Sequence, residues 1–158
     1  IAPGGNWIPK IWPAEKFNQL LKLLIKKNSY LNFILIGSIV EKKKYFNDVV
    51  KDIDKNNIID LMGETLTQTF SYIKKSNLFV GNDSGLMHLA AASKISTIGL
   101  FGPTNDKIYA PFGKNCYTLR TKESYKYFTE IFINKESSYM NSIEVTDVMN
   151  LIEHKKLL

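Results

Sequence analysis

The chain has 158 residues, of which 44% are hydrophobic and 23% are charged, and its formal net charge is +6. This length suits one domain with its own core, and the apolar content excludes a disordered segment. The longest apolar run, residues 31–40, is interrupted by polar residues and is too short to span a bilayer. The single cysteine, Cys116, excludes an internal disulfide and fits a reducing compartment such as the cytoplasm.

The positive charge comes almost entirely from lysine, because Arg120 is the only arginine among the 21 basic residues. Surfaces that bind nucleic acid normally favour arginine, whose planar guanidinium pairs bidentately with phosphate. The chain also lacks the aromatic motifs on which RNA bases stack. We therefore expect no nucleic-acid partner and interpret most lysines as solvated surface, with a weak attraction to an anionic membrane or an acidic substrate left open.

Helical and strand patterns alternate along the chain. Apolar residues at helical spacing predict helices over residues 13–27, 41–54, 66–75, 85–93 and 145–155. Short apolar runs predict strands over residues 31–36, 57–61, 78–80, 97–101 and 117–119. This alternation indicates one α/β domain over residues 1–158, with a Rossmann-like parallel sheet and helices on both faces. Residues 122–142 follow no clear pattern.

The start of the chain reads as the end of a strand that runs into a loop, at residues 1–5, and the first residue is not methionine. We therefore expect a further N-terminal portion in the natural protein.

The glycine-rich segments all follow predicted strands. Right-handed crossovers bring the carboxyl ends of parallel strands to one edge, where ligands bind in open α/β sheets. The segments expected at that edge are residues 3–10, 37–41, 63–65, 82–88 and 102–106.

Residues 79–92 predict a buried strand, a short polar turn and a helix that begins at Gly85. The N-terminus of such a helix attracts phosphate, because unpaired N–H groups and the positive end of the helix dipole both face the ligand. His88 falls one turn into the helix, where it can still reach that position. Alternatively, Asp83 or Ser84 only caps the helix and His88 only packs in the core. Capping alone requires neither Gly85 nor His88, which favours an anion site.

Four other strand ends carry candidate site residues. Lys10 lies in a loop stiffened by prolines and tryptophans, where its ammonium can meet a bound phosphate; the alternative is a surface lysine. Glu41 either accepts hydrogen bonds from ribose or sugar hydroxyls or only favours a helix N-terminus. Gly63 and Glu64 could bind a base edge through their backbone. Thr104 follows a rigid Gly-Pro turn, and its hydroxyl could bind a phosphate.

Several other site types lack the residues that they need. The spacing of the histidines and the cysteine predicts no metal site, and neither the Walker motif nor the dinucleotide-binding glycine motif is present. The loop of residues 109–113 could flank a ligand, although simple packing is the favoured interpretation.

Taken together, these segments resemble glycosyltransferase family 9, the ADP-heptose:lipopolysaccharide heptosyltransferases. The match covers most of the chain in the right order, and the Asp-Ser-Gly-x-x-His block before Phe-Gly-Pro-Thr is its most specific part. It is weakest at residues 94–96 and 122–142. The matching segments are residues 3–5, 10–13, 35–38 with Glu41, 60–63, 82–92, 100–104, 111–113 and 140–148.

The resemblance implies a GT-B glycosyltransferase, of which this chain is the C-terminal, donor-binding domain. An N-terminal acceptor domain, absent from this chain, would supply the Asp that acts as general base. The family uses no metal and no other cofactor, and it transfers heptose or a similar sugar from an ADP-sugar to the lipopolysaccharide core with inversion. Localisation would be cytoplasmic, with peripheral contact to the inner membrane. We expect the chain alone to bind ADP-sugar weakly and to be inactive.

Carried over by position, Lys10 would contact the donor phosphates and stabilise the leaving diphosphate. Residues 83–85 and His88 would surround the diphosphate and the sugar. Glu41 would bind donor hydroxyls, and residues 63–64 would lie beside the adenine. Two alternatives stay open: a non-catalytic nucleotide- or anion-binding α/β module, and an interaction domain with a decayed site.

Overall fold

The computed structural model describes all of residues 1–158. The strands are β1 (Phe33–Gly37), β2 (Ile58–Met62), β3 (Leu78–Asn82), β4 (Ser96–Phe101) and β5 (Cys116–Arg120). The helices are α1 (Ala14–Lys27), α2 (Ile39–Val49), α3 (Leu66–Ile73), α4 (Gly85–Ala92), α5 (Asp106–Tyr109), α6 (Tyr125–Glu130) and α7 (Val145–Lys155), with 3-10 turns at Ile8–Lys10 and Lys55–Asn57. The predicted parallel α/β architecture is confirmed.

All strand pairs are parallel, and the first two residues join them into one sheet. β1 pairs with β2, while β3, β4 and β5 pair in that order. Ile1 makes two hydrogen bonds with β1. Its nitrogen donates to the Ile34 oxygen at 2.8 Å, and its oxygen accepts from the Ile36 nitrogen at 3.0 Å. The Ala2 nitrogen donates to the Val80 oxygen at 3.1 Å on β3. The spatial order is therefore β2, β1, residues 1–2, β3, β4, β5.

This order creates a topological switch point beside the first residues. From residues 1–2 the chain builds β1 and β2 on one side of the sheet and then crosses to build β3, β4 and β5 on the other. In open α/β sheets, ligands bind at the carboxyl end of the strands where the order reverses. The loop after residues 1–2 and the turn after β3 flank that position.

Helices cover both faces of the sheet. α1, α2 and α7 pack on one face around a large core cluster, in which Trp12 contacts Phe17 edge-on with ring centroids 4.8 Å apart. The Trp12 indole N–H donates to the Ile143 oxygen at 3.0 Å, so the buried ring has its polar atom satisfied. α3 and α4 cover the other face, where Phe79, Met87 and Phe101 belong to a smaller cluster. Burial of each such large side chain contributes about 1.5–3 kcal/mol.

The predicted bounds hold best at α7 and least well at α2. α2 begins at Ile39 because Ser38 caps it in a capping box with Glu41, and it ends at Val49, before Asp52 adopts a φ of 58°. The predicted helix over residues 41–54 is therefore wrong at its C-terminal end. In α3, Thr69 and Ile73 are buried, whereas Phe70 is only half-buried.

The unpatterned residues 122–142 form the short helix α6 followed by an irregular segment. This segment packs on the loop that precedes α1, because the Tyr139 nitrogen donates to the Pro9 oxygen at 3.0 Å and the Ser138 hydroxyl donates to the Ile11 oxygen at 2.6 Å. Long-range contacts, rather than local propensity, hold it in place. None of the helices combines the length and apolarity that a membrane crossing requires.

Candidate functional site

A cleft of about 880 Å³ opens at the carboxyl edge of the sheet, across the switch point. Only six of its 20 lining residues are hydrophobic, so the cleft is predominantly polar. The cleft brings together eight of the nine predicted site residues, namely Lys10, Glu41, Glu64, Asp83, Ser84, Gly85, His88 and Thr104. The ninth, Gly63, lies outside the lining.

The N-terminus of α4 is open towards the cleft. Ser84 occupies the N-cap with extended backbone but makes no side-chain capping bond, and its hydroxyl oxygen is buried without a hydrogen-bond partner. The amides of Gly85 and Leu86 donate to no other group of the chain. Gly85 is exposed, and a Cβ placed there would meet no atom within 4 Å. Helix capping alone therefore does not explain this turn, and its free donors are available to an anion.

Lys10 reaches the same turn from the loop after residues 1–2. Its Nζ lies 3.4 Å from Asp83 Oδ2, and both side chains are largely buried, at 14% and 8% exposure. Partial burial strengthens the attraction between such charges relative to water. An ammonium has three donors and Asp83 uses one of them, so Lys10 can bind an anion in the cleft while it keeps this partner.

Asn82, the last residue of β3, holds the Lys10 loop in position. Its side-chain amide donates to the Pro3 and Gly4 oxygens at 3.0 Å each, and its oxygen accepts from the Trp12 nitrogen at 2.9 Å. Asn82 is fully buried. Sequence reasoning placed it in the turn and missed this role, although a buried asparagine at the end of an apolar strand is a signal for it.

Glu41 combines the two roles that the sequence left open. Its Oε2 accepts from the Ser38 nitrogen at 2.6 Å, which completes the capping box of α2, while Oε1 accepts no bond from the chain. The carboxyl group packs against Gly4, where a Cβ would overlap it. Glu41 thus stabilises a helix N-terminus and also presents one free carboxylate oxygen to the cleft.

The end of β2 forms the far wall. The Gly63 nitrogen donates to the Gly37 oxygen at 2.8 Å, and its φ of 97° turns the chain so that Glu64 faces the cleft. His88 lies exposed on the wall formed by α4, so it is not the packed core residue of the alternative interpretation. Tyr109 of α5 also lines the cleft, which corrects the expectation that its loop only packs.

The turn after β4 contributes Thr104. Its hydroxyl oxygen is buried and has no hydrogen-bond partner, and the residue lines the cleft.

No group of three or more His, Cys, Asp or Glu side chains is arranged to hold a metal ion. Cys116 lies at the start of β5, at the opposite edge of the sheet, where burial raises the pKa of its thiol.

Known proteins share this architecture. The family model of glycosyltransferase family 9 (heptosyltransferase) matches residues 1–135. Lipopolysaccharide heptosyltransferase 3 of Escherichia coli K12 is 25% identical over 97% of this chain and 44% of its own length. Lipooligosaccharide heptosyltransferase 2 of Haemophilus influenzae is 29% identical over 100% of this chain and 46% of its own length. The chain spans less than half the length of these relatives.

Two solved structures from E. coli have the same fold. Heptosyltransferase WaaC with ADP superposes with a TM-score of 0.78 at 20% identity, over 97% of this chain and 42% of that one. ADP-heptose lps heptosyltransferase II superposes with a TM-score of 0.75 at 27% identity, over 99% of this chain and 44% of that one. The fold is that of the C-terminal half of GT-B heptosyltransferases. By the match over residues 1–135, the chain belongs to glycosyltransferase family 9.

Proposed function

We propose that this chain is the donor-binding half of an inverting glycosyltransferase that moves heptose, or a similar sugar, from an ADP-sugar to a lipopolysaccharide core acceptor. One observation carries the proposal: the open N-terminus of α4, with the unpartnered Ser84 hydroxyl, lies beside Lys10 at the switch point of the sheet. Related structures described as holding ADP and ADP-2-deoxy-2-fluoro heptose support this choice of ligand.

The diphosphate would lie in front of α4. The amides of Gly85 and Leu86 and the ammonium of Lys10 all offer donors there, and the helix dipole adds positive potential. Negative charge develops on the leaving diphosphate as the glycosidic bond breaks. Donors fixed at that position stabilise the transition state without reorganisation, which is usually a large catalytic contribution. The reaction would therefore need no metal and no other cofactor.

The two ends of the donor would lie on opposite sides of the diphosphate position. Glu41 and His88 can bind hydroxyl groups of the ribose or the sugar, because each presents a free polar atom to the cleft. Near the end of β2, the exposed side chain of Ile39 packs beside Gly63, and the exposed side chain of Leu66 lines the cleft close to Glu64. Both offer apolar surface to a flat base. This arrangement supports the expected adenine position beside residues 63–64.

In the proposed reaction an acceptor hydroxyl attacks the anomeric carbon while the bond from that carbon to the phosphate oxygen breaks. The hydroxyl proton passes to a carboxylate, which the family resemblance assigns to an N-terminal domain outside this chain. The chain alone would bind the donor without turning it over. We propose a cytoplasmic location, peripheral to the inner membrane, because a lysine-rich protein is attracted to an anionic membrane surface that also presents the acceptor.

Isothermal titration calorimetry of the chain with ADP, AMP, UDP and GDP tests this function. We expect ADP to bind most tightly, above AMP because of the second phosphate and above UDP and GDP because of the base. Equal affinity for the three diphosphates would contradict an adenine-specific donor site. In the natural full-length protein, Lys10→Met should lower the transfer rate from ADP-heptose; binding of the donor without any transfer by the wild type would instead indicate a non-catalytic nucleotide module.

A further inference from the structure

Arg120 lies at the carboxyl end of β5, in register with Phe101 at the end of β4, and therefore at the same edge of the sheet as the cleft. It is the only arginine in a chain with 20 lysines. Its side chain is only 19% exposed. A largely buried guanidinium in a chain that otherwise uses lysine indicates a task that needs several fixed donors in one plane.

The guanidinium donates four hydrogen bonds to the segments around it. Its Nη2 donates to the Gly102 oxygen at 2.6 Å and to the Thr104 oxygen at 2.7 Å. Its Nε donates to Asp106 Oδ1 at 2.7 Å, and Nη1 donates to the Glu123 oxygen at 2.9 Å. A lysine ammonium is a single point with three donors, so it cannot satisfy these four acceptors together.

Two of these bonds fix the turn that carries Thr104. The main chain of the turn is held at both of its ends by the same guanidinium, while the sulfur of Met140 packs so closely on Gly102 that no Cβ would fit there. The Thr104 carbonyl therefore points to Arg120. Its hydroxyl, in contrast, is buried, has no partner and belongs to a residue of the cleft wall. Buried polar atoms in folded proteins are nearly always hydrogen-bonded, so this hydroxyl is available to a polar group of a ligand.

Ser84 shows the same property on the neighbouring strand end. Only two buried side-chain polar atoms of the chain lack a partner, Ser84 Oγ and Thr104 Oγ1, and both residues line the same cleft. β3 and β4 are adjacent in the sheet, and the Asp83 nitrogen donates to the Leu100 oxygen at 3.2 Å, which ties the two turns together. The two unpartnered hydroxyls therefore belong to neighbouring turns of one cleft.

We infer that Arg120 is a positioning residue, which holds the turn of residues 102–104 so that the Thr104 hydroxyl donates to an anionic oxygen of the ligand bound before α4. Thr104 contacts the ligand, and Arg120 acts only through it. The identity of the ligand as a nucleoside diphosphate rests on the proposed function. The geometry itself requires only a diphosphate-like anion.

A double-mutant cycle, measured by calorimetry with inorganic pyrophosphate and with ADP, tests this inference. Thr104→Val removes the hydroxyl at nearly constant volume and should weaken binding about tenfold. Arg120→Lys should weaken it by about fivefold to tenfold, because the turn is no longer fixed. The double variant should bind within about twofold of Thr104→Val, since Arg120 has no effect when the hydroxyl is absent.

Conservative and control variants separate positioning from folding. Thr104→Ser keeps the hydroxyl and should bind within about threefold of the wild type. Ser142→Ala removes the bond to Glu123 Oε2 beside Arg120 without touching the turn, and should leave the affinity unchanged. If Arg120→Lys does not fold, Asp106→Ala can take its place in the double-mutant cycle, because it removes only one of the four hydrogen bonds of Arg120.

Each outcome separates this inference from the proposed function. Independent, multiplicative effects of the two substitutions, or a lower melting temperature with unchanged affinity, would overturn the role of Arg120 and leave ADP binding intact. Coupled effects on pyrophosphate without preference for ADP over UDP and GDP would support Arg120 and contradict the proposed donor. Failure of the wild type to bind either anion would overturn both.

Discussion

The carboxyl edge and the amino edge of the sheet each carry a concavity, and the first is lined mainly by polar residues while the second is lined mainly by apolar ones. At the carboxyl edge, the 880 Å³ cleft presents an ion pair, two unpartnered hydroxyls and an open helix N-terminus. At the amino edge, a cavity of about 310 Å³ is lined by 18 residues of which 14 are hydrophobic. The difference follows from topology, because parallel strands bring helix N-termini to one edge and helix C-termini to the other. The signs of the helix dipoles therefore favour an anion only at the carboxyl edge.

The edges also differ in how their loops are held. At the carboxyl edge, the fully buried Asn82 and the largely buried Arg120 fix two loops through hydrogen bonds to main-chain oxygens. At the amino edge, the corresponding amide is less buried: half-buried Asn57 donates to the Ser29 and Leu31 oxygens at 3.1 Å and 2.8 Å. Aliphatic side chains such as those of Ile34 and Ile95 line the rest of that edge. Substitutions at the two edges should therefore have separable effects on stability and on nucleotide binding.

Asn82→Asp should have the largest effect. It removes two buried donors and turns a carboxylate towards the Pro3 and Gly4 oxygens, so the free energy of unfolding should fall by about 3 kcal/mol, as measured by urea denaturation. Asn32→Asp, an exposed position on the amino-edge cavity, is the matched control and should change stability by less than about 0.5 kcal/mol. Equal effects at both positions would contradict the role of Asn82 in holding the loop.

Lys10→Met should weaken ADP binding by about 30-fold, close to 2 kcal/mol, because a partly buried cation beside the phosphates is lost. Calorimetry with ADP measures this change. Lys75→Met makes the same change of net charge at the amino-edge cavity and should leave the affinity nearly unaltered. A similar loss for both variants would mean that overall charge, rather than the cleft, attracts the nucleotide.

Gly85→Ala should weaken ADP binding about tenfold, because a methyl group beside the first amides of α4 keeps the phosphates at a distance. The fold should tolerate the change, since the added Cβ meets no atom within 4 Å and alanine favours a helix by up to about 1 kcal/mol. Thermal denaturation should therefore give an unchanged or higher melting temperature. Unaltered ADP affinity in the folded variant would place the diphosphate elsewhere.

Ile34→Val should have the smallest effect. This half-buried residue lines the amino-edge cavity, so loss of one methylene should reduce stability by about 0.5–1 kcal/mol. Its ADP affinity should equal that of the wild type in the same calorimetric assay. A weaker affinity would show that the two edges are coupled.

The sequence predicts most of this fold, because its signals are local. Helical periodicity gives α7 with both of its ends, and the apolar runs find all five strands. The carboxyl-edge site also follows from sequence, since parallel topology collects the glycine-rich loops on one edge.

The features that sequence reasoning missed depend on contacts between distant residues. Asn82 bonds to Pro3 across 79 positions, and the two residues that join the sheet pair with strands that come much later in the chain. The bonds from Arg120 to the Thr104 turn are shorter in range but become visible only once β5 is placed beside β4. Phe128 of α6 and Tyr139 of the irregular segment before α7 pack edge-on, with ring centroids 5.9 Å apart, and no periodic pattern in the sequence predicts this contact.

Titration of the ¹⁵N-labelled chain with ADP, followed by amide chemical shifts, tests the central claim most directly because it observes both edges at once. The account predicts that the largest shifts occur at Lys10, Ser84, Gly85 and Thr104, while Asn77 and Ile95 at the amino edge stay unchanged. Shifts concentrated on the amino-edge cavity, or spread evenly over the lysine-rich surface, would contradict it.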